Sequence, residues 1–211
     1  MQTPENVEVS TTRKRSSNIG KMRGAKPPLQ TKHVWAIRTK LQVDGKIREL
    51  AMFNLAIDSK LRGCDLVRIR VEDVAPHGLA IDRAVVRQRK TGCPVKFELT
   101  EHTREAVDAH IRACGLRPGQ FLFSSRKDRS RPISTRQYAR LLTGWIASVG
   151  LDPTFFGTHL LRRTKATLIY RRTGNLRAVQ LLLGHTKIES TVRYLGIEVD
   201  DALAIAEQVD V

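Results

Sequence analysis

No apolar run in the 211-residue sequence approaches the roughly 18 residues of a membrane-crossing helix, which sets aside the helical membrane classes. The opening residues, MQTPENVEVS, lack the basic start and apolar stretch of a secretory signal, so a cytoplasmic protein is expected. Cysteine is scarce. Cys64, Cys93 and Cys114 are odd in number, widely spaced and without a CxxC pair, so neither a disulfide framework nor a zinc site is expected, and the three read as buried or incidental thiols. Acidic residues are the other shortage: 21 Asp+Glu stand against 37 Lys+Arg, a net charge of +16. Such an excess suits a polyanionic partner, because neutralised phosphates release condensed counterions. Nucleic acid is the leading candidate, and a basic surface that merely aids solubility is the bland alternative.

The charge is unevenly spread. Residues 195–211 hold five acids (Glu198, Asp200, Asp201, Glu207 and Asp210) and no Lys or Arg, which leaves +21 on the first 194 residues. The stretch 155–194 alone carries +7. Residues 1–26 are polar and Ser/Thr-rich and become basic late (Arg13, Lys14, Arg15, Lys21, Arg23, Lys26), the composition of a disordered arm. Pro27-Pro28 ends that arm, and 27–211 has the length of one domain.

Within the domain, Leu50, Phe53, Ile57 and Leu61 recur at helical spacing, and helices are predicted over 29–42 and 46–60. A shorter helix is predicted for Cys64–Val71 with Leu66 and Ile69 inward. An extended run from Gly78 to Lys90, a Thr91-Gly92 turn and the alternation Val95, Phe97, Leu99 predict an antiparallel hairpin with one face on a core. Thr100 should cap a helix to about Cys114 on which His102 and His110 have no evident partners. A short extended piece at 121–124 and a basic loop at 125–131 should follow. Further helices are predicted from Ser134 to about 149 and over 158–173, 175–183, 188–195 and 198–208. The expected fold class is mainly α with a small antiparallel β-sheet (α+β), and no internal repeat is visible.

Singly, the polar residues of the last third say little: His159 and Arg162 share a helix face as many surface pairs do. The ordered set says more. Arg62 is followed by Asp65, Lys90 precedes a hairpin turn, then come His159-x-x-Arg162, Leu183-Gly184-His185 and, nine residues later, Tyr194. This order resembles the tyrosine recombinase (phage integrase) family over roughly residues 29–208. The most specific part is THLLRRT (158–164), LGHT (183–186) and TVRY (191–194). The resemblance implies the family's catalytic-domain fold and a catalytic set of Arg62, Lys90, His159, Arg162, His185 and Tyr194, with Asp65 in support. It implies no cofactor and no metal. As partners it implies double-stranded DNA, a homotetramer on two DNA sites and, as a further candidate, an accessory DNA-bending protein, with a cytoplasmic, nucleoid-associated location.

The chemistry implied accounts for these residue types. Cutting an anionic phosphodiester needs charge stabilisation and a positioned nucleophile. Arg62 and Arg162 would clamp the nonbridging oxygens with planar, permanently charged donors. Tyr194 would attack and hold the strand as a covalent 3′-phosphotyrosyl link, which conserves the bond energy and removes any need for ATP. In that scheme His159 accepts the tyrosine proton, Lys90 protonates the leaving 5′ oxygen, His185 bonds the scissile phosphate and Asp65 buttresses Arg62 and the local fold. Lys96 rivals Lys90 across the hairpin, Arg163 rivals Arg162, and Tyr170 falls out of family order and suits core packing. The basic helix face of Arg163, Lys165, Arg171 and Arg172 reads as phosphate contacts mixed with solvated charge.

Most of the family carries a separate DNA-clamping domain upstream. Only about 35 residues separate Pro27 from Arg62 here, a layout similar to the fimbrial phase-variation invertases. The acidic segment 195–211 would form a tail helix, docked either on a neighbouring subunit or back on its own. Strand exchange in DNA integration, excision or inversion is the implied function. A type IB topoisomerase-like relaxation and a non-catalytic DNA-binding regulator of the same fold are the alternatives.

Overall fold

The computed structural model describes residues 26–197 and Glu207, so the expected arm up to residue 25 and the tail helix expected over 198–208 lie outside the described residues, Glu207 apart. The chain begins with α1 (Thr31–Val43) and α2 (Ile47–Ser59). From Ala51 to Ser59 every residue of α2 is buried, as expected of a helix covered on all sides by α1, α5 (Glu101–Cys114), α7 (Leu160–Thr173) and the sheet. Its polar members are satisfied inside the protein: Arg38 Nε donates to Asn54 Oδ1 at 2.8 Å, and Asp58 Oδ2 accepts from the Thr100 amide, Thr100 Oγ1 and Thr103 Oγ1 at 2.6–2.8 Å.

Lys60 closes α2 in the left-handed region, with φ of 54°. A β-carbon there costs about 1–2 kcal/mol, and the local contacts offset it. Its ammonium, fully buried, donates to Asp58 O at 2.6 Å and pairs with Glu98 at 3.1 Å, while Lys165 pairs with Asp58 at 3.2 Å and Glu98 at 3.5 Å. This reversal turns the chain toward Arg62.

The sheet is one antiparallel hairpin, β1 (Arg83–Arg87) and β2 (Pro94–Glu98), with Ala84 opposite Phe97 and Val86 opposite Val95. Val95, Phe97 and Leu99 are buried, as their alternation predicts. The extended run expected from Gly78 begins only at Arg83, because the Ala80 and Ile81 amides donate to Asp108 and to Val74 O instead of a partner strand. The helix expected over Cys64–Val71 is likewise two, α3 (Gly63–Leu66) and α4 (Val71–Val74). Between them Ile69 O and the Val71 amide bond to Leu122 and Gln120, and Arg70 bridges Phe121, so long-range pairing overrides the helical period. Leu66 and Ile69 do face inward.

One further expectation is corrected and one is narrowed to its second alternative, the incidental thiols. His110 is buried, with Nε2 donating to Leu122 O at 2.8 Å and its ring stacked on Phe123. None of the three free cysteines is buried: Cys64 and Cys93 are half-buried and Cys114 is exposed. After α6 (Thr135–Ala147), capped by Ser134, come a 3-10 turn (Pro153–Phe155), α7, α8 (Leu176–Leu183) and α9 (Ile188–Leu195). α7 joins two cores. Leu160 and Leu161 enter the main one, whereas Ala166 packs with Val179 and Leu183 in a second, against which Tyr170, Tyr194 and Leu195 rest. The cleft that holds the polar motif residues lies where the two meet.

Asp58→Ala removes the acceptor of three hydrogen bonds and the partner of Lys165, and is expected to lower the unfolding free energy by about 3–5 kcal/mol in urea titrations at neutral pH. Burial pushes the Asp58 carboxyl up, but Lys165, Thr103 and Thr100 outweigh it and hold the carboxyl below its ordinary value. Its stabilisation is therefore present above about pH 4 and lost as pH falls through the lower folded value, so the gap between wild type and variant should close in acid.

Candidate active site

Arg162 lies at the bottom of the cleft, 3% exposed, on the first turn of α7. One guanidinium nitrogen donates to Lys60 O, and Nη2 donates to Leu183 O at 2.8 Å and lies 3.3 Å from His185 Nε2. Both carbonyls belong to helix C-termini, where unsatisfied acceptors and the negative end of the macrodipole favour a cation. Gly184 ends α8 at a φ of +63°, and a β-carbon there would come within 2.7 Å of Val95 Cγ2 and 3.1 Å of Gln88 Nε2. The glycine lets α8 close onto the hairpin and turns the chain so that His185 faces Arg162.

His185 Nδ1 is 3.0 Å from Thr191 Oγ1 on α9. Because Arg162 has only donors, His185 Nε2 is the acceptor in that contact and Nδ1 carries the proton toward Thr191. The Tyr194 ring sits edge-on to His185 with centroids 5.6 Å apart, under Arg162 and Arg163 at 5.7 and 4.8 Å. Its hydroxyl donates to His159 O at 3.4 Å. His159 is the N-cap of α7, at the exposed rim.

Arg62 caps α3, half-buried, and donates to Gln88 Oε1. Asp65, expected to buttress Arg62 and the local fold, accepts from the Arg89 amide at 3.0 Å, and its other oxygen is buried with no hydrogen-bond partner among the described residues. It therefore holds the hairpin turn beside Lys90, which is exposed. The structure thus brings Arg62, His159, Arg162, His185 and Tyr194 to one cleft, with Lys90 exposed on a turn at its rim and Asp65 beneath. Lys96 faces solvent in mid-strand and Tyr170 packs in the second core. Lys165, grouped by sequence with solvated or phosphate-facing charge, is corrected: it is paired inside the protein with Asp58 and Glu98. Arg163 is engaged too, donating to Lys26 O at 2.7 Å.

Burial and the crowding of cations together set the protonation states. Burial and then Arg162 and Arg62 push His185 down to about 4. Burial, Arg162, Arg62, Arg163 and Lys90 lower His159 as well, so both imidazoles are neutral at pH 7. Burial brings Arg162 down to about 10, which leaves it charged. Tyr194 is raised by burial, which outweighs the pull of Arg162 and Arg163, so the phenol keeps its proton at rest. Among the described residues no group of His, Cys, Asp and Glu is arranged to hold a metal ion.

Sequence reasoning missed Gln88, which is 1% exposed and touches both Arg62 and the end of α8. The signal was present. Ala84, Val86 and Gln88 continue one inward-facing alternation, and a polar residue at such a position needs partners.

Residues 28–199 match the phage integrase family. The chain belongs to that family. It is 31% identical over 161 residues to the probable integrase/recombinase YoeC of Bacillus subtilis, covering 74% of this chain and 82% of YoeC. It is 30% identical over 191 residues to the tyrosine recombinase XerC of Neisseria gonorrhoeae, covering 83% of this chain and 59% of that XerC, so it spans little more than half the length of this relative. The fold is that of tyrosine recombinase catalytic domains. XerA recombinase superposes with a TM-score of 0.71 at 19% identity, over 89% of this chain and 66% of XerA. XerH, in a post-cleavage complex with its palindromic difH substrate, gives 0.68 at 16% identity over 86% of this chain and 54% of XerH.

Gly184→Ala should destabilise the family fold here by about 2–4 kcal/mol, from the left-handed backbone and the collision with Val95 together, as read by chemical denaturation. His185 should titrate in NMR spectra only near pH 4. Its folded value lies below the roughly 6.5 of an unfolded histidine, so the unfolded chain takes up the proton first and stability falls as pH drops from about 6.5 toward 4. A midpoint near 6.5 would contradict the cationic surroundings described for it.

Proposed function

We propose that the chain is a site-specific DNA recombinase that breaks and rejoins DNA through a covalent 3′-phosphotyrosyl intermediate, within residues 27–211 as its catalytic domain. The observation that carries this reading is the placement of Tyr194 against His185 and beneath Arg162, in the cleft that also holds Arg62 and His159. Membership of the phage integrase family supports it, and so does the net charge of +16, which favours a DNA partner.

In the forward step Tyr194 Oη attacks the scissile phosphorus, the P–O5′ bond breaks and the strand becomes a tyrosine ester. Neutral His159 takes the phenolic proton, and the Lys90 ammonium supplies one to the departing O5′. Arg62 and Arg162 stabilise the charge that builds on the nonbridging oxygens, with His185 adding a contact on the same phosphate. Reversal with a different 5′ hydroxyl exchanges the strands. Arg162 is pre-set for this: its hydrogen bonds to two carbonyls and its burial fix the guanidinium before DNA arrives. The proposal includes a homotetramer on two paired sites, the basic segment 1–26 as a further DNA contact and the acidic tail as an inter-subunit link.

Nicked duplexes tiling the DNA on either side of the gene, built so that cleavage releases a short oligonucleotide and blocks rejoining, test the covalent step. Wild type should give a denaturation-resistant protein–DNA adduct on at least one duplex and Tyr194→Phe none. Arg162→Lys should slow adduct formation by about 10²–10³-fold. Adduct from Tyr194→Phe at the wild-type level would overturn the reading.

A further inference from the structure

Gln88 is nearly inaccessible, and its side chain touches three parts of the cleft. Its Oε1 accepts from the Arg62 guanidinium and from Thr91 Oγ1 at 3.0 Å. Its Nε2 donates to Leu183 O at 3.1 Å, the same carbonyl that takes Arg162 Nη2 at 2.8 Å. Its backbone closes the hairpin turn, with its amide donating to Cys93 O at 2.9 Å and its carbonyl accepting from the Gly92 amide at 2.8 Å. The turn so closed bears Lys90, and the helix end so gripped leads through Gly184 to His185.

We infer that Gln88 is a positioning residue for the proposed cleavage, one that fixes the Arg62 guanidinium and ties the Lys90 turn to the Arg162–His185 corner. The inference rests on the recombinase reading and deepens it. The physical reason lies in the donor inventory. Arg62 offers only N–H groups and needs an acceptor, Leu183 O needs donors, and an amide is the neutral side chain that meets both needs at once. A carboxylate would satisfy Arg62 but repel Leu183 O and cancel charge meant for the phosphate. An apolar side chain of the same length would satisfy neither. Without Gln88 the Arg62 side chain regains its rotamer freedom, and the lost order is recovered from DNA-binding energy or not at all. The two arginines are held through one shared carbonyl, so their separation is set before a phosphate enters.

The test compares wild type with Gln88→Met, which keeps the volume, and Gln88→Glu, which keeps only the acceptor. Three quantities are read on a nicked duplex that wild type cleaves: the single-turnover rate of adduct formation, the affinity for the same duplex with a non-cleavable phosphate, and the Arg62 side-chain NMR signals without DNA. Gln88→Met should slow adduct formation on the order of 10- to 100-fold, the worth of a hydrogen bond to a charged group, while affinity stays within about two-fold. The Arg62 signals should move toward those of a solvated guanidinium. Gln88→Glu should hold the Arg62 signals near their wild-type environment and still lose rate, because Leu183 O and His185 are released. Met or Glu variants with wild-type rates, or rates and affinity falling together, would overturn the positioning role. Should wild type form no more adduct than Tyr194→Phe on any duplex, the recombinase reading itself fails and takes the catalytic role of Gln88 with it. A slow Gln88→Met beside an active wild type separates the two.

Discussion

A guanidinium buried to 3% exposure is a large desolvation cost, and the arrangement of the last third of the molecule follows from how Arg162 meets it. Among the described residues no carboxylate does so directly. The cation is held by Lys60 O and Leu183 O, the acceptors that helices α2 and α8 cannot satisfy within themselves, and by the lone pair of His185. Each contact makes its own demand on the backbone. Lys60 takes a left-handed conformation that a lysine seldom adopts, and Gly184 takes the same conformation at a point where only a hydrogen fits beneath Val95. The charge is thus preserved for an incoming anion, since none of its partners neutralises it.

Burial and the surrounding cations together set the electrostatics around it. Burial, with Arg162 and Arg62 adding to it, drives His185 and His159 toward the neutral form, while burial keeps the proton on Tyr194 against the pull of Arg162 and Arg163. A neutral imidazole near a protonated phenol is the state from which the proposed general-base activation by His159 would start. Of the nearby carboxylates, Asp58 and Glu98 are spent on Lys60 and Lys165, and buried Asp65 accepts from the Arg89 amide.

Local pattern carried much of this into the sequence. The helix over Glu101–Cys114 and the one over Ile188–Leu195 match their predicted spans, and the inward faces of Val95, Phe97 and Leu99 follow from alternation. The ordered motif located Arg62, His159, Arg162, His185 and Tyr194, which the fold brings together from four separate places on the chain. What stayed hidden depends on pairs far apart in sequence. Ile69 and Arg70 leave the helical path to pair with residues 121–122, and Lys165 meets Asp58 across 107 positions. Gln88 was concealed differently, as a neutral residue within the basic run Arg87–Lys90, where charge drew the eye and strand parity was the informative signal.

The same distinction revises the meaning of the basic excess. Residues 155–194 carry +7, yet Arg162, Arg163 and Lys165 in that stretch spend donors on protein acceptors, and Lys165 is neutralised by carboxylates. A cation already paired with a carboxylate has no condensed DNA counterion to release, whereas one held by carbonyls retains its full charge. Lys60 and Lys165 therefore contribute to folding more than to DNA attraction, and Arg162 contributes to both, because its partners are dipoles. Arg171 and Arg172, exposed at the end of α7, have no side-chain partner among the described residues. The division between cations paired with charges and cations held by dipoles separates the scaffold of this cleft from its chemistry.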